Sequence, residues 1–218
     1  MRKLISTTFL TLDGVMQAPG GPEEDPTDGF EHGGWSVPYW DENMVSWAPI
    51  VFGDSFELVL GRKTYEIFAA HWPHTDEPGA EGFNRARKHV ASRTLETLEW
   101  ENSVLLGDDV PGALERLKAE DGPELQVHGS ADLLQTLLAH GLMDELRIWT
   151  FPVVVGDGKR LFGGGAAPGA FELVDSRTSS TGVVLGIYRA AGPVSTGTFA
   201  LEEPTEAERE RRAAIPDA

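Results

Sequence analysis

The chain predicts an α/β protein with a mostly parallel sheet, flanking helices and a C-terminal antiparallel hairpin. Two patterns along the chain support this fold class. Short apolar strands alternate with helical patterns through the first two thirds of the chain. From Glu145 onward, strand follows strand with no helix between them. Alternation favours parallel pairing and consecutive strands favour a hairpin, while 218 residues suit one well-buried domain.

Eight strands are predicted from runs of β-branched and apolar residues. The chain begins with a basic tip, but the apolar stretch that follows is interrupted by polar residues. It therefore resembles a first strand more than a signal peptide. The sixth is the longest, because the apolar pattern continues through Pro152 into three valines. The predicted strands are Lys3–Phe9, Phe56–Leu60, His89–Ala91, Ser103–Leu106, Leu125–His128, Glu145–Val155, Phe171–Asp175 and Val183–Arg189.

Five helices are predicted between these strands. Pro111 suits the first turn of the fourth helix, because its missing N–H has no partner there. In the fifth, four leucines between positions 133 and 138 form an apolar stripe, and Gly141 ends the helix. The predicted helices are Asp41–Phe52, Thr64–Ala70, Gly82–Lys88, Pro111–Ala119 and Ala131–His140.

Two segments lie outside this pattern. Residues 13–38 are rich in glycine, proline and acidic residues, and the aromatic side chains near their end favour a folded lid. Beyond Ala191 the chain is charged and lacks an apolar face. We therefore predict a domain at 1–191 and an acidic, poorly ordered tail at 192–218, with a short exposed helix near 206–214.

Composition excludes several classes of partner. The net charge of −17 disfavours nucleic acid and anionic membranes. The chain has no cysteine, which excludes disulfides, thiolate metal sites and cysteine nucleophiles. No apolar run approaches the roughly 20 residues that span a bilayer. We expect a cytoplasmic protein without a metal site.

Three predicted strands end in polar groups suited to phosphate. After the second strand, Gly61 is followed by Arg62, Lys63 and Thr64, and Thr64 is a candidate N-cap. A helix N-terminus beside cations is a natural phosphate site. Because ligands bind outside the carboxyl ends of parallel strands, Gly61, Arg62, Lys63 and Thr64 are predicted to bind a dinucleotide.

The other two strand ends match the first. Ser92 and Arg93 follow the third strand, and Gly129–Ala131 follows the fifth, with Ser130 placed to cap a helix. Each string alone also fits an ordinary polar turn or cap, and Asp132 would repel a phosphate. Together they suit a diphosphate plus one further phosphate, which distinguishes NADP from NAD.

Longer strings resemble the dihydrofolate reductase-like family, and more closely the C-terminal reductase domain of the bifunctional riboflavin-biosynthesis deaminase-reductase. The matching strings are Thr11–Gln17, Leu60–Tyr65, Gly129–Ser130, Leu142–Leu146 and Pro152–Phe162. The last of these strings is the most specific.

The resemblance implies an eight-stranded mixed sheet with four flanking helices and NADPH bound across the strand ends. It implies that Met16 lies near the nicotinamide on a mobile loop. It also implies phosphate-binding roles for Arg62, Thr64, Ser92 and Arg93, and diphosphate-binding roles for Gly129, Ser130 and Ala131. The zinc deaminase half is absent here, and His128 replaces the first of two glycines found in dihydrofolate reductases.

Reduction also requires a proton and a substrate site. Asp41 and Asp13 are the candidate catalytic acids, although Asp41 also suits a helix N-terminus and Asp13 a turn. Arg85 and Arg87 are candidates for an anionic substrate group, or are solvated surface residues.

We predict an NADPH-dependent reductase of a small pyrimidine- or pterin-type molecule. The resemblance favours a reaction like that of 5-amino-6-(5-phosphoribosylamino)uracil reductase. Dihydrofolate reduction and a non-catalytic NADPH-binding role are the alternatives. Residues 156–165 are a candidate homodimer contact, because the long sixth strand needs cover.

Overall fold

A computed structural model of the chain describes residues 1–53, 55–163 and 166–215. Eight strands form one sheet in the order β4-β3-β2-β5-β1-β6-β8-β7. Pairing is parallel from β4 to β6 and antiparallel for β6–β8 and β8–β7, which confirms the predicted fold class. The strands are β1 Leu4–Thr11, β2 Phe56–Gly61, β3 Lys88–Ala91, β4 Ser103–Leu105, β5 Glu124–His128, β6 Glu145–Phe151, β7 Phe171–Thr178 and β8 Val184–Ala190.

Seven α-helices accompany the sheet in the described residues. They are α1 Glu42–Ser46, α2 Ala48–Phe52, α3 Arg62–His71, α4 Ala80–Arg85, α5 Val110–Ala119, α6 Ala131–Ala139 and α7 Glu206–Ala213. None of these helices has the length and apolar character needed to cross a membrane.

Two proline residues explain the largest errors in the predicted boundaries. The single helix predicted over 41–52 is two short helices, because Pro49 has no N–H and its ring obstructs a continuing helix. The sixth strand ends at Phe151 rather than Val155, since Pro152 cannot donate to the sheet. The third predicted helix ends early at Arg85, and Lys88 already belongs to β3.

The sheet is covered on both faces. On the first face, leucines of α5 and α6 pack against alternate residues of β1, β5 and β6 to form one core. On the second face, α1 and α2 cover β6 and β8, while α3 and α4 cover β2 and β3. β1 lies between β5 and β6 and is almost wholly buried. Its C-terminal end is therefore at the middle of the carboxyl edge of the sheet.

The segments outside the sheet differ in their contacts. Residues 156–163, predicted as a dimer contact, lie against the loop after β1, where Met16 N–H donates to the Lys159 carbonyl at 2.8 Å. Residues 164–165 of that segment and 216–218 of the predicted tail lie outside the described residues. In the tail, Thr205 caps α7, whose side chains are mostly exposed.

Candidate dinucleotide site

The carboxyl ends of β1, β2, β3 and β5 lie along one edge of the sheet, because these strands are parallel. Gly61 ends β2 and is paired with Ala91, the last residue of β3. Ser92 and Arg93 therefore directly follow the residue beside Gly61. The three predicted strand ends share this edge, and the first and third of them are in direct contact.

That contact is a junction between the starts of α3 and α6. Ser130 Oγ accepts a hydrogen bond from Gly61 N–H at 3.0 Å and donates one to Thr64 Oγ1 at 2.7 Å. A Cβ on Gly61 would lie only 3.2 Å from Ser130 Cβ. Glycine is favoured here because a side chain at this position would crowd Ser130. We call Gly61, Thr64, Gly129 and Ser130 the junction.

The junction corrects two predicted helix caps. Thr64 does not cap α3, which begins at Arg62 with Gly61 as its N-cap. Ser130 precedes α6 but makes no side-chain cap bond, because its φ of 64° turns the hydroxyl toward Thr64. Neither helix start is therefore closed by a side-chain cap. Their first N–H groups can serve an anion instead.

The predicted cations have different surroundings. Arg62 is half-exposed and forms an i,i+4 ion pair with Glu66 at 2.8 Å. Lys63 faces the loop after β1, where Thr27 Oγ1 accepts its hydrogen bond at 3.2 Å. Arg93 is exposed, and Ser92 Oγ accepts from the N–H of Leu95 at 3.0 Å. Only Lys63 is engaged by a distant segment.

A gap opens between β1 and β5 at the same edge. The two strands pair only as far as Thr7 and His128, whereas β1 and β6 remain paired to Thr11 and Phe151. Thr7 Oγ1 is buried with no hydrogen-bond partner among the described residues. A buried hydroxyl without a partner costs about 1–3 kcal/mol, so a polar partner at this position would be stabilising.

Aromatic side chains lie on the second face beside this gap. Phe9 contacts Trp40 edge-on at 5.6 Å between ring centroids, and His128 stacks on Phe52 at 5.5 Å. Burial lowers the pKa of His128 to about 3, so its imidazole is neutral. This wall suits a planar ring, and His128 cannot supply a proton at neutral pH.

The two predicted catalytic acids are held by structural hydrogen bonds. Asp41 Oδ2 accepts from Ser180 Oγ at 2.7 Å and Asp41 Oδ1 accepts from Met44 N–H at 2.9 Å. The hydrogen bond from Ser180 lowers the pKa of Asp41. Asp41 is thus the N-cap of α1 and ties it to the β7–β8 turn, and its carboxyl is ionised rather than a ready proton donor.

Asp13 has a comparable environment. It accepts from Thr11 Oγ1 at 2.6 Å and from Gly156 N–H at 2.9 Å. The hydrogen bond from Thr11 lowers the pKa of Asp13. Asp13 holds the segment after β6 against the end of β1, which agrees with the turn interpretation of this residue.

The cap assignment makes a prediction for Asp41. Asp41→Ala is expected to lower the melting temperature more than Asp41→Asn, because asparagine retains the N-cap acceptor. Thermal unfolding followed by circular dichroism measures both variants. Equal melting temperatures would contradict a capping role.

The remaining predicted residues are not at the junction. Met16 is only 7% exposed and packs in the first-face core, rather than facing the gap. Arg85 and Arg87 lie beside Phe56 and Pro123. Phe56 is the first residue of β2 and Pro123 directly precedes β5, so this is the amino edge of the sheet. This edge is opposite the junction, so the two arginines lie at the other end of the sheet from the candidate dinucleotide site.

The loop over 13–38 is folded, as predicted for a lid. Trp35 Nε1–H donates to the Gln17 carbonyl at 2.7 Å, and the Gln17 side chain donates to the carbonyls of Asp25 and Thr27 at 3.0 Å. Gln17 Oε1 also accepts from Lys159 N–H at 3.0 Å. Sequence reasoning missed Gln17, Asp25 and Lys159, because no local pattern links residues so far apart in the chain.

The strand order, the hairpin and the polar carboxyl edge together define a mixed α/β protein with one candidate site at the ends of its parallel strands. The family model of the RibD C-terminal domain matches residues 2–185, and the chain belongs to this family. The predicted resemblance to the riboflavin-biosynthesis reductase branch is thereby confirmed.

Individual relatives agree with this assignment. The chain is 27% identical to the uncharacterised protein YyaP of Bacillus subtilis (strain 168) over 201 residues, covering 88% of this chain and 96% of YyaP. It is 24% identical to YwjB of the same organism over 166 residues, covering 74% of this chain and 83% of YwjB.

Two solved structures share the fold. A candidate riboflavin biosynthesis protein of Shewanella sp. PV-4 has a TM-score of 0.62 at 19% identity, covering 87% of this chain and 99% of its own. A pyrimidine reductase-like protein of Corynebacterium diphtheriae has a TM-score of 0.57 at 12% identity, covering 87% and 92%.

Proposed function

We propose that this protein is an NADPH-dependent reductase of a small pyrimidine- or pterin-type heterocycle. The observation that carries the proposal is the junction, where two helix starts without side-chain caps meet at the carboxyl edge of the sheet. The RibD C-terminal family supports an oxidoreductase at the level of reaction class.

The junction residues fit a dinucleotide. Gly129 has a φ of 66°, which favours glycine, and a Cβ there would be in van der Waals contact with Thr64 Oγ1 at 3.7 Å. N–H groups at the starts of α3 and α6 and the Lys63 ammonium would hold the diphosphate. Arg62, Ser92 and Arg93 would hold the 2′-phosphate that distinguishes NADPH from NADH.

The gap between β1 and β5 would hold the reacting groups. NADPH would supply a hydride when bound, and the chain would orient the two rings. The Thr7 hydroxyl would donate to or accept from a polar atom of the substrate, while Phe9 and Trp40 would pack against its ring. Asp13, Asp41 and His128 are not ready proton donors, so we assign the proton to solvent.

The substrate is proposed by class. The family and the names of the two solved structures favour a riboflavin-pathway pyrimidine over dihydrofolate. Arg85 and Arg87 lie at the opposite edge, so other groups would have to bind a substrate phosphate. NADPH binding without turnover is the second candidate function, because Asp13, Asp41 and His128 are not ready proton donors.

Cofactor titration is the first test. NADPH is expected to bind more tightly than NADH, and salt is expected to weaken the binding, because it depends on exposed cations. The double variant Arg62→Ala plus Arg93→Ala is expected to lose roughly 10- to 100-fold in NADPH affinity, the equivalent of one or two charge-assisted hydrogen bonds. Its NADH affinity is expected to change little.

Arg85→Ala plus Arg87→Ala is the matched control, since it removes the same charge at the opposite edge. Equal losses in both double variants, or no binding of either nucleotide to the wild type, would contradict the proposed cofactor site. Oxidation of NADPH is then measured with 5-amino-6-ribosylaminouracil, its 5′-phosphate and dihydrofolate. Binding without oxidation of any of them would favour the non-catalytic alternative.

A further inference from the structure

One carboxylate of the loop after β1 is shared by two lysines from distant segments. Lys63 Nζ, in the first turn of α3, lies 3.6 Å from Asp25 Oδ1, and Lys159 Nζ, after β6, contacts Asp25 Oδ2. Thr27 Oγ1 accepts from Lys159 at 2.9 Å and from Lys63 at 3.2 Å. The Thr27 hydroxyl also lies 2.5 Å from Asp25 Oδ1, to which it donates. We call Asp25, Thr27, Lys63 and Lys159 the latch.

The charges of the latch are partly shielded from water. The Asp25 side chain is 15% exposed. Burial raises its pKa, but the hydrogen bonds from Lys159 and Thr27 outweigh this and hold the pKa below its ordinary value. Asp25 is therefore ionised while it pairs with both ammonium groups. The exposed Asp28 acts on Lys159 through a weaker Coulombic attraction.

The latch adjoins the junction from two sides. Lys63 directly precedes Thr64, whose hydroxyl contacts Ser130. On the other side, the carbonyls of Arg160 and Leu161 accept hydrogen bonds from the Gln135 side chain of α6. Lys63 thus lies at the start of α3, and Lys159 precedes a residue that is bonded to α6. Asp25 connects the two lysines.

We propose that Lys159 joins Lys63 in binding the dinucleotide diphosphate, and that Asp25 holds both lysines in the free protein and is displaced when the diphosphate binds. This inference rests on the proposed function. A diphosphate has more charge and more acceptor oxygens than one carboxylate, so it can replace Asp25 at both ammonium groups. The loop segment around Asp25 would then be released from α3.

Three single variants test this exchange. Asp25→Asn removes the competing charge and is expected to tighten NADPH binding about threefold to tenfold, as for a partly buried ion pair. Lys159→Gln is expected to weaken it by a similar factor. Glu23→Gln, at an exposed position in the same loop, is the matched control for net charge and is expected to change the affinity less than about twofold.

A second ligand separates the diphosphate from the other phosphate. Adenosine 2′-monophosphate carries the 2′-phosphate but neither phosphate of the diphosphate, so its affinity is expected to be the same for Asp25→Asn as for Glu23→Gln. Equal tightening of both ligands by Asp25→Asn would show a general charge effect and overturn the inference. Weaker NADPH binding by Asp25→Asn, or unchanged binding by Lys159→Gln, would also overturn it. If wild-type protein binds NADPH in these cases, the proposed function stands; if it does not, both fail.

Discussion

Replacing Arg147 with methionine is expected to lower the free energy of unfolding by about 3 kcal/mol, because it breaks a buried ion pair and leaves the Glu145 carboxylate to the half-exposed Lys3 ammonium, 3.4 Å away. Arg147 Nε–H donates to Glu145 Oε1 at 2.9 Å, and both side chains are less than 10% exposed. The guanidinium also donates to the Val51 carbonyl at the end of α2 and lies 3.3 Å from Glu124 Oε2. Methionine fills a similar volume but satisfies none of these groups.

Urea denaturation of Arg147→Met beside Arg177→Met measures this effect. Arg177 is 42% exposed on β7 and pairs with Asp175 at 3.3 Å, so its loss is expected to cost less than about 1 kcal/mol. A cost below about 1 kcal/mol for Arg147→Met would contradict the structural role of this ion pair. Arg147 donates a hydrogen bond to the Val51 carbonyl of α2, which packs in the second-face core. The variant should therefore also lose near-ultraviolet circular dichroism from the tryptophans of that core.

Replacing Gly129 with valine is expected to weaken NADPH binding by at least about 100-fold, or about 2.7 kcal/mol. Gly129 has a φ of 66°, a region that β-branched residues rarely occupy. The new methyl groups would also occupy the space beside Thr64 into which the diphosphate is proposed to bind. The variant should therefore combine lower stability with loss of the nucleotide.

Gly141→Val separates these two effects. Gly141 has a φ of 63° at the far end of α6, and nothing lies within 4 Å of its Cβ position. The backbone strain is therefore matched, at roughly 1–3 kcal/mol in each variant. NADPH binding is expected to survive in Gly141→Val and to be lost in Gly129→Val. Equal binding by the two folded variants would place the diphosphate elsewhere.

The sequence predicted where the strands lie along the chain and that most of them pair in parallel. The alternation of strands and helices shows as a change in the spacing of apolar residues. The errors in boundary came where a proline stops an element that apolar residues alone would continue. Pro49 divides the predicted helix into α1 and α2, and Pro152 ends β6. Both prolines are visible in the sequence, but the apolar residues on either side of each one predict a continuous element.

The candidate site was predictable only as far as strand ends could be located. Gly61–Thr64 and Gly129–Ser130 follow predicted strands, so parallel pairing alone brings them to one edge. The hydroxyl contact between Thr64 and Ser130 depends on the backbone of Ser130, whose left-handed conformation is unusual for serine. The pairing of Asp25 with Lys159 has no local signal, because 134 positions separate them.

The position of β1 has a consequence for how the chain folds. β1 leaves the ribosome before the other strands of this sheet, yet its neighbours are β5 and β6, and Leu4 pairs with Leu125. The centre of the sheet therefore cannot form until well over half of the chain has been synthesised. Such long-range parallel pairing is slow and leaves apolar strand edges exposed in the meantime. During translation, β1 therefore stays without its sheet neighbours until β5 and β6 emerge, so its backbone N–H and C=O groups are open to pairing with other strands in the meantime.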